Sequence, residues 1–127
     1  MIVDTSALVA VLLSEPESAQ FGTMIETEPI AISAATLLEA EIVARGRRGE
    51  DLVRELRLIL DEAEIVSVDE RQARIASDAY RRYGRGSKHP AKLNYGDCFS
   101  YALAISRDEP LLFKGDDFVH TDVRRAV

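Results

Sequence analysis

Five acidic residues stand at spacings that suit one kind of chemistry. Asp4 follows Ile2 and Val3 directly, Glu39 lies in SAATLLEAEIV, and Asp97 lies in NYGDCFSYALA. Asp116 and Asp117 form the adjacent pair in LLFKGDDF. Carboxylates brought together repel, and some stay protonated unless a cation offsets them. Mg²⁺ and Mn²⁺ are hard ions that take carboxylate and water oxygens, so they would relieve that conflict. In phosphodiester cleavage one such ion can activate water while a second, about 4 Å away, stabilises the leaving oxygen.

Each acid also has a plainer reading. Glu39 is one of 22 acids and would suit a solvated helix face. Asp97 would suit a first helical turn, where the dipole favours negative charge. Asp116 and Asp117 would suit a turn after Gly115. Asp4 resists this treatment, because an acid directly after a buried strand is costly without a partner or an ion.

The elements that must position these acids alternate along the chain. Met1–Asp4 reads as a buried strand, and Thr5 or Ser6 offers a hydroxyl cap for a helix to about Leu13. Ser14-Glu15-Pro16-Glu17 reads as a second helix start, with Pro16 at a tolerated first position. Ile30–Ile32 is the second strand, followed by a helix that should end near Gly46 and Gly49. Leu52, Val53, Leu56, Ile59 and Leu60 keep helical spacing in a further helix from about Asp51 to Glu62. Ile65–Val68 is the third strand, and Asp69 caps a helix to about Tyr83. Residues 84–94 form a polar loop, Tyr95–Ser106 a helix and Leu111–Phe113 the fourth strand. Asp122–Val127 is a candidate fifth.

Short apolar strands separated by helices imply a parallel sheet of four to five strands in a three-layer α/β/α sandwich. Sites on such sheets form beyond the carboxyl ends of the strands. Asp4 occupies such an end, and Asp116 and Asp117 lie just past another.

Composition bounds the rest. At 127 residues the chain is expected to form one domain, 1–127, since a second would have too little core. An apolar fraction of 46% argues against disorder. No apolar run approaches the roughly 20 residues needed to span a bilayer. The net charge of −6 argues against a protein that coats nucleic acid by bulk charge, though it leaves room for an enzyme with a local basic face. The single cysteine, Cys98, excludes an internal disulfide and a cysteine-only zinc site, and the expected setting is a reducing cytoplasm.

MIVDTSALVAVL, SAATLLEAEIV, NYGDCFSYALA and LLFKGDDF, in that order and spacing, resemble the PIN-domain toxins of the VapC type over nearly the whole chain. That resemblance implies a three-layer α/β fold, a Mg²⁺- or Mn²⁺-dependent endoribonuclease, and a VapB-type antitoxin as partner. It carries the family acids onto Asp4, Glu39 and Asp97, with the fourth on Asp116 in preference to Asp117. It makes Asp4, Asp97 and Asp116 the direct metal ligands, and Ser6, rather than Thr5, the hydroxyl that orders a carboxylate or a water. It also implies a homodimer or a larger toxin–antitoxin assembly.

Two surfaces follow from the residues. Arg81, Arg82, Arg85, Lys88 and Lys92, with Tyr83 and Tyr95 interleaved, precede Asp97 and would offer phosphate contacts and stacking to single-stranded RNA. Arg45, Arg47 and Arg48 would meet an acidic partner. Leu8, Val11, Leu12, Phe21 and Ile25 would leave an apolar groove for an antitoxin helix, or else pack in the core.

Two rival classes are weighed against this reading. A phosphatase using Asp4 as nucleophile would want a second aspartate two residues on, and Ser6 stands there instead. A noncatalytic α/β binding module would not require acids at all four positions. His89 and His120 show no spacing that supports a metal-free ribonuclease.

Overall fold

The computed structural model describes all residues 1–127. Strand β1 (Ile2–Val3) leads into helix α1 (Thr5–Leu12), followed by α2 (Ser18–Thr27) and β2 (Ala31–Ser33). Then come α3 (Ala34–Ile59), β3 (Glu64–Val66), α4 (Glu70–Tyr83), α5 (Tyr95–Arg107) and β4 (Leu111–Leu112). A 3₁₀ turn covers Phe118–His120. No helix is long and apolar enough to cross a membrane.

All strand pairs are parallel, in the order β3-β2-β1-β4. Side chains alternate across a strand, and the burial follows that rule. Val3, Ile32 and Leu112 join a core under α1, α2 and α3. Ile2, Ala31 and Leu111 join a second core under α4 and α5. The sheet is therefore covered on both faces, the expected three-layer sandwich.

The chain winds from β1 outward to β2 and β3, then returns to lay β4 on the other side of β1. The strand order thus reverses beside β1, and a crevice opens at such a switch point. Both β1 and β4 end there, and the Asp4 N–H donates to the Leu112 carbonyl at 3.0 Å.

Several boundaries differ from the sequence reading. The helix begun at Ala34 runs through Gly46 and breaks only at Arg48–Gly49, where Gly49 takes a φ of 67°. A left-handed φ is easy for glycine alone, so Gly49 rather than Gly46 marks the break. Helix α2 begins at Ser18, not near Pro16; Ser14 is left-handed, and Glu15 and Glu17 are drawn to a partner elsewhere. The tail adds no fifth strand. It makes one bridge, Leu111 to Arg125, beside β4.

The proposed apolar groove on the N-terminal helices is mostly core. Leu8, Leu12 and Phe21 are buried beneath the sheet. Only Val11 and Ile25 reach a surface cleft of about 460 Å³, which they share with Leu58 and Ile59.

Candidate active site

At the switch point lies an open cleft of about 480 Å³, lined by Asp4, Thr5, Ser6, Val9, Glu15, Glu39, Asn94, Asp97, Lys114, Gly115 and Asp117. Five acids line it: Glu15, from the connection between α1 and α2, pairs with Lys114, and four other segments deliver Asp4, Glu39, Asp97 and Asp117. Asp4 ends β1 and caps α1: its Oδ2 accepts from the Ser6 N–H at 2.9 Å and the Ser6 hydroxyl at 2.7 Å. Only 3% of Asp4 is exposed, and its Oδ1 is buried with no hydrogen-bond partner. A buried carboxylate oxygen left bare costs about 1–3 kcal/mol or more, so the position calls for a cation.

Glu39 projects from the second turn of α3, and its carboxylate accepts from the Thr5 hydroxyl. Both candidate hydroxyls therefore act, Ser6 on Asp4 and Thr5 on Glu39. Helix α5 meets Glu39 at Gly96, where an added Cβ would overlap the Glu39 carboxylate. A glycine here leaves the Glu39 carboxylate the space it occupies against α5.

Asp97 sits in the first turn of α5 in a reciprocal cap with Asn94. The Asn94 N–H donates to Asp97 Oδ2 at 2.8 Å, and the Asp97 N–H donates to Asn94 Oδ1 at 2.9 Å. Burial pushes the Asp97 carboxyl up to about 7. The Asn94 hydrogen bond opposes that shift, and the charges of Asp4, Asp117 and Glu39 add to it. Four separate elements thus act on one another electrostatically across this cleft.

Asp117, not Asp116, lines the cleft. This reverses the order expected from the sequence. The chain turns at Gly115, with a φ of 98°, and Phe118 is buried, so the intervening residues project in different directions.

The donor set suits a hard divalent ion: carboxylate oxygens, one of them bare and buried, and no sulfur or imidazole in the lining. No three acids converge closely enough to cage an ion by themselves. An ion here would keep part of its water shell, which Mg²⁺ prefers.

The basic loop lies outside this lining. Arg81 pairs with Asp78. Arg82 pairs with Asp78 and donates to the hydroxyls of Tyr101 at 2.9 Å and Tyr83 at 3.1 Å. Tyr101 in turn donates to Asp122 at 2.6 Å. Arg82 therefore braces α4 against α5 and the tail. Arg85, Lys88, Lys92 and Tyr95 are exposed. In the second basic cluster, Arg45 pairs with Glu50, and Arg48 donates to the Leu12 carbonyl at 3.0 Å.

Sequence reasoning missed Asn94 and Lys114. Asn94 was visible as a cap residue three positions before an acid. Lys114, the one cation in the lining, gave no sign, because its partner Glu15 lies 99 residues away. Glu15 and Glu17 hold the Lys114 ammonium above its ordinary range, and Lys114 in turn lowers Glu17.

Comparison with known proteins shows the family and the fold. The PIN domain family model matches residues 1–124. The chain is 51% identical over 130 residues to Ribonuclease VapC28 of Mycobacterium tuberculosis, covering 100% of this chain and 98% of that protein. Its fold is similar to Mycobacterium tuberculosis VapC20, a sarcin–ricin loop cleaving toxin: TM-score 0.71 and 16% identity, over 97% of this chain and 98% of that one. It is also similar to VapBC2 from Rickettsia felis, solved with a DNA fragment from its promoter: TM-score 0.75 and 16% identity, covering 98% and 94%.

Proposed function

The chain belongs to the PIN-domain family, among its VapC-type members, and from that premise we propose that it is a Mg²⁺- or Mn²⁺-dependent endoribonuclease. One domain spanning residues 1–127 carries the site, and the reaction is hydrolysis of an RNA phosphodiester bond. The observation that carries the reading is the bare, buried Oδ1 of Asp4, in a cleft where burial first, and then the charges of Asp4, Asp117 and Glu39, push the Asp97 carboxyl up to about 7.

Asp4, Asp97 and Asp117 would hold the ion, with Glu39 completing the set. A divalent ion, when bound, supplies positive charge that eases deprotonation of a nearby water and offsets charge on the phosphate. The protein supplies the rest. Ser6 holds the Asp4 carboxylate by Oδ2, which leaves Oδ1 without a partner. Thr5 holds Glu39 as an acceptor able to orient a water. Asn94 fixes Asp97 and so resists its protonation. Arg85, Lys88 and Lys92, free of the bracing that occupies Arg81 and Arg82, would contact RNA phosphates away from the chemistry.

The relatives are named as ribonucleases and toxins, and one structural neighbour as a VapBC pair. Their names support a toxin held by a VapB-type antitoxin; a cytoplasmic setting and a homodimer or larger assembly are part of the proposal. The test is chelation. RNA cleavage should stop in EDTA and return with Mn²⁺, whereas cleavage that persists in EDTA would overturn the proposal.

A further inference from the structure

Three of the cleft acids are fixed by side-chain bonds: Asp4 by Ser6, Glu39 by Thr5 and Asp97 by Asn94. Asp117 differs. It caps the 3₁₀ turn without a side-chain hydrogen bond and is exposed. Its place must therefore come from the backbone on either side.

On one side Phe118 is buried, its ring 5.1 Å from that of Phe113. On the other, beyond the left-handed Gly115, stands Lys114. The Lys114 N–H donates to the Ser6 hydroxyl at 3.0 Å, and its ammonium is gripped by Glu15 and by Glu17, the latter at 3.0 Å. Both glutamates lie in the connection between α1 and α2. One residue thus ties the exit of β4 to the start and the end of α1.

We propose that Lys114 is a positioning residue: pinned between Glu15 and Glu17, it fixes the Gly115–Asp117 turn and so holds Asp117 in the carboxylate cleft. A direct phosphate contact fits less well. The ammonium donates to Glu15 and lies 3.0 Å from a Glu17 oxygen, and the triad carries net negative charge, which repels phosphate. The inference rests on the reading that the cleft binds a divalent ion.

Charge and positioning make opposite predictions. Removing a cation beside four acids would, by Coulomb's law alone, tighten Mn²⁺ binding. If Lys114 positions Asp117, Lys114→Met should instead weaken Mn²⁺ binding about tenfold, the scale of losing an outer-shell support. The measurement is calorimetric Mn²⁺ titration without RNA, with ¹⁵N relaxation of residues 115–117. The variant should also show greater mobility of those amides and a lower kcat with KM for RNA unchanged, and Lys114→Arg should restore each property.

Unchanged or tighter Mn²⁺ binding with amides as rigid as in the wild type would overturn the proposal. So would a raised KM with unchanged Mn²⁺ affinity, which would mean that Lys114 touches RNA. A wild type that binds no Mn²⁺ would refute the metal reading instead, and amide mobility would then decide the role of Lys114 alone. If Lys114→Met does not fold, Glu15→Gln/Glu17→Gln carries the same relaxation comparison.

Discussion

The Asp97 carboxyl is pushed up to about 7 because burial and then the charges of Asp4, Asp117 and Glu39 disfavour its anion, against the Asn94 hydrogen bond. In the unfolded chain an aspartate titrates near about 3.9. Between those values folding takes up a proton, so the metal-free protein should lose stability as pH rises from about 4 through about 7. With allowance for the carboxyl's partial exposure, the loss is on the order of 2 kcal/mol. Thermal melts of the EDTA-treated protein should show Tm falling over this window, and Asp97→Asn, which keeps the acceptor for Asn94, should flatten the trend. An unchanged slope in that variant would remove Asp97 as its source. Asp4, Glu39 and Asp97 were legible in the sequence because a strand end and two helix starts locate them. The choice between Asp116 and Asp117 was not, since it hangs on the Gly115 turn and the burial of Phe118. Asp117→Asn should cut RNA cleavage about a hundredfold, by analogy with losses at metal sites. Asp116→Asn should stay within a few-fold, and the reverse ranking would return the fourth acid to Asp116.

Among the elements, the junction of α3 and α5 bears most directly on the site. A methyl group at Gly96 would meet the end of the flexible Glu39 side chain rather than backbone. Gly96→Ala should therefore barely change the melting temperature while displacing Glu39 and lowering kcat at least about tenfold, the scale of a small misplacement at a reacting centre. Equal loss of fold and activity would show that Gly96 serves packing alone. The periodicity of residues 34–62 revealed two helical stretches, but not which glycine parts them. Gly46 and Gly49 look alike in composition, and only Gly49 adopts a backbone closed to other residues. Helix α2 was placed too early because Glu15 and Glu17 look like helix-start acids, yet both serve Lys114. A partner that distant leaves no local signal.

For the whole molecule, alternating short strands and helices were enough to specify the three layers, but not the strand order. That order matters, because β1 and β4 lie adjacent at the switch point and bring Asp4 and Asp117 to one cleft. The net charge of −6 is consistent with the site, since its acids would be offset by bound cations rather than by lysines and arginines. The basic loop was expected beside the acids; instead Arg81 and Arg82 are spent on ion pairs and bracing, which sequence spacing cannot show. Four acids at the switch point are proposed to form a metal site that cleaves RNA. The direct measurement incubates total RNA and Mn²⁺ with the wild-type protein, Asp4→Asn and Asp97→Asn, each first shown to be folded. The wild type should give discrete fragments, and both variants should lose cleavage at least about a hundredfold. Equal cleavage by all three proteins would contradict that proposal.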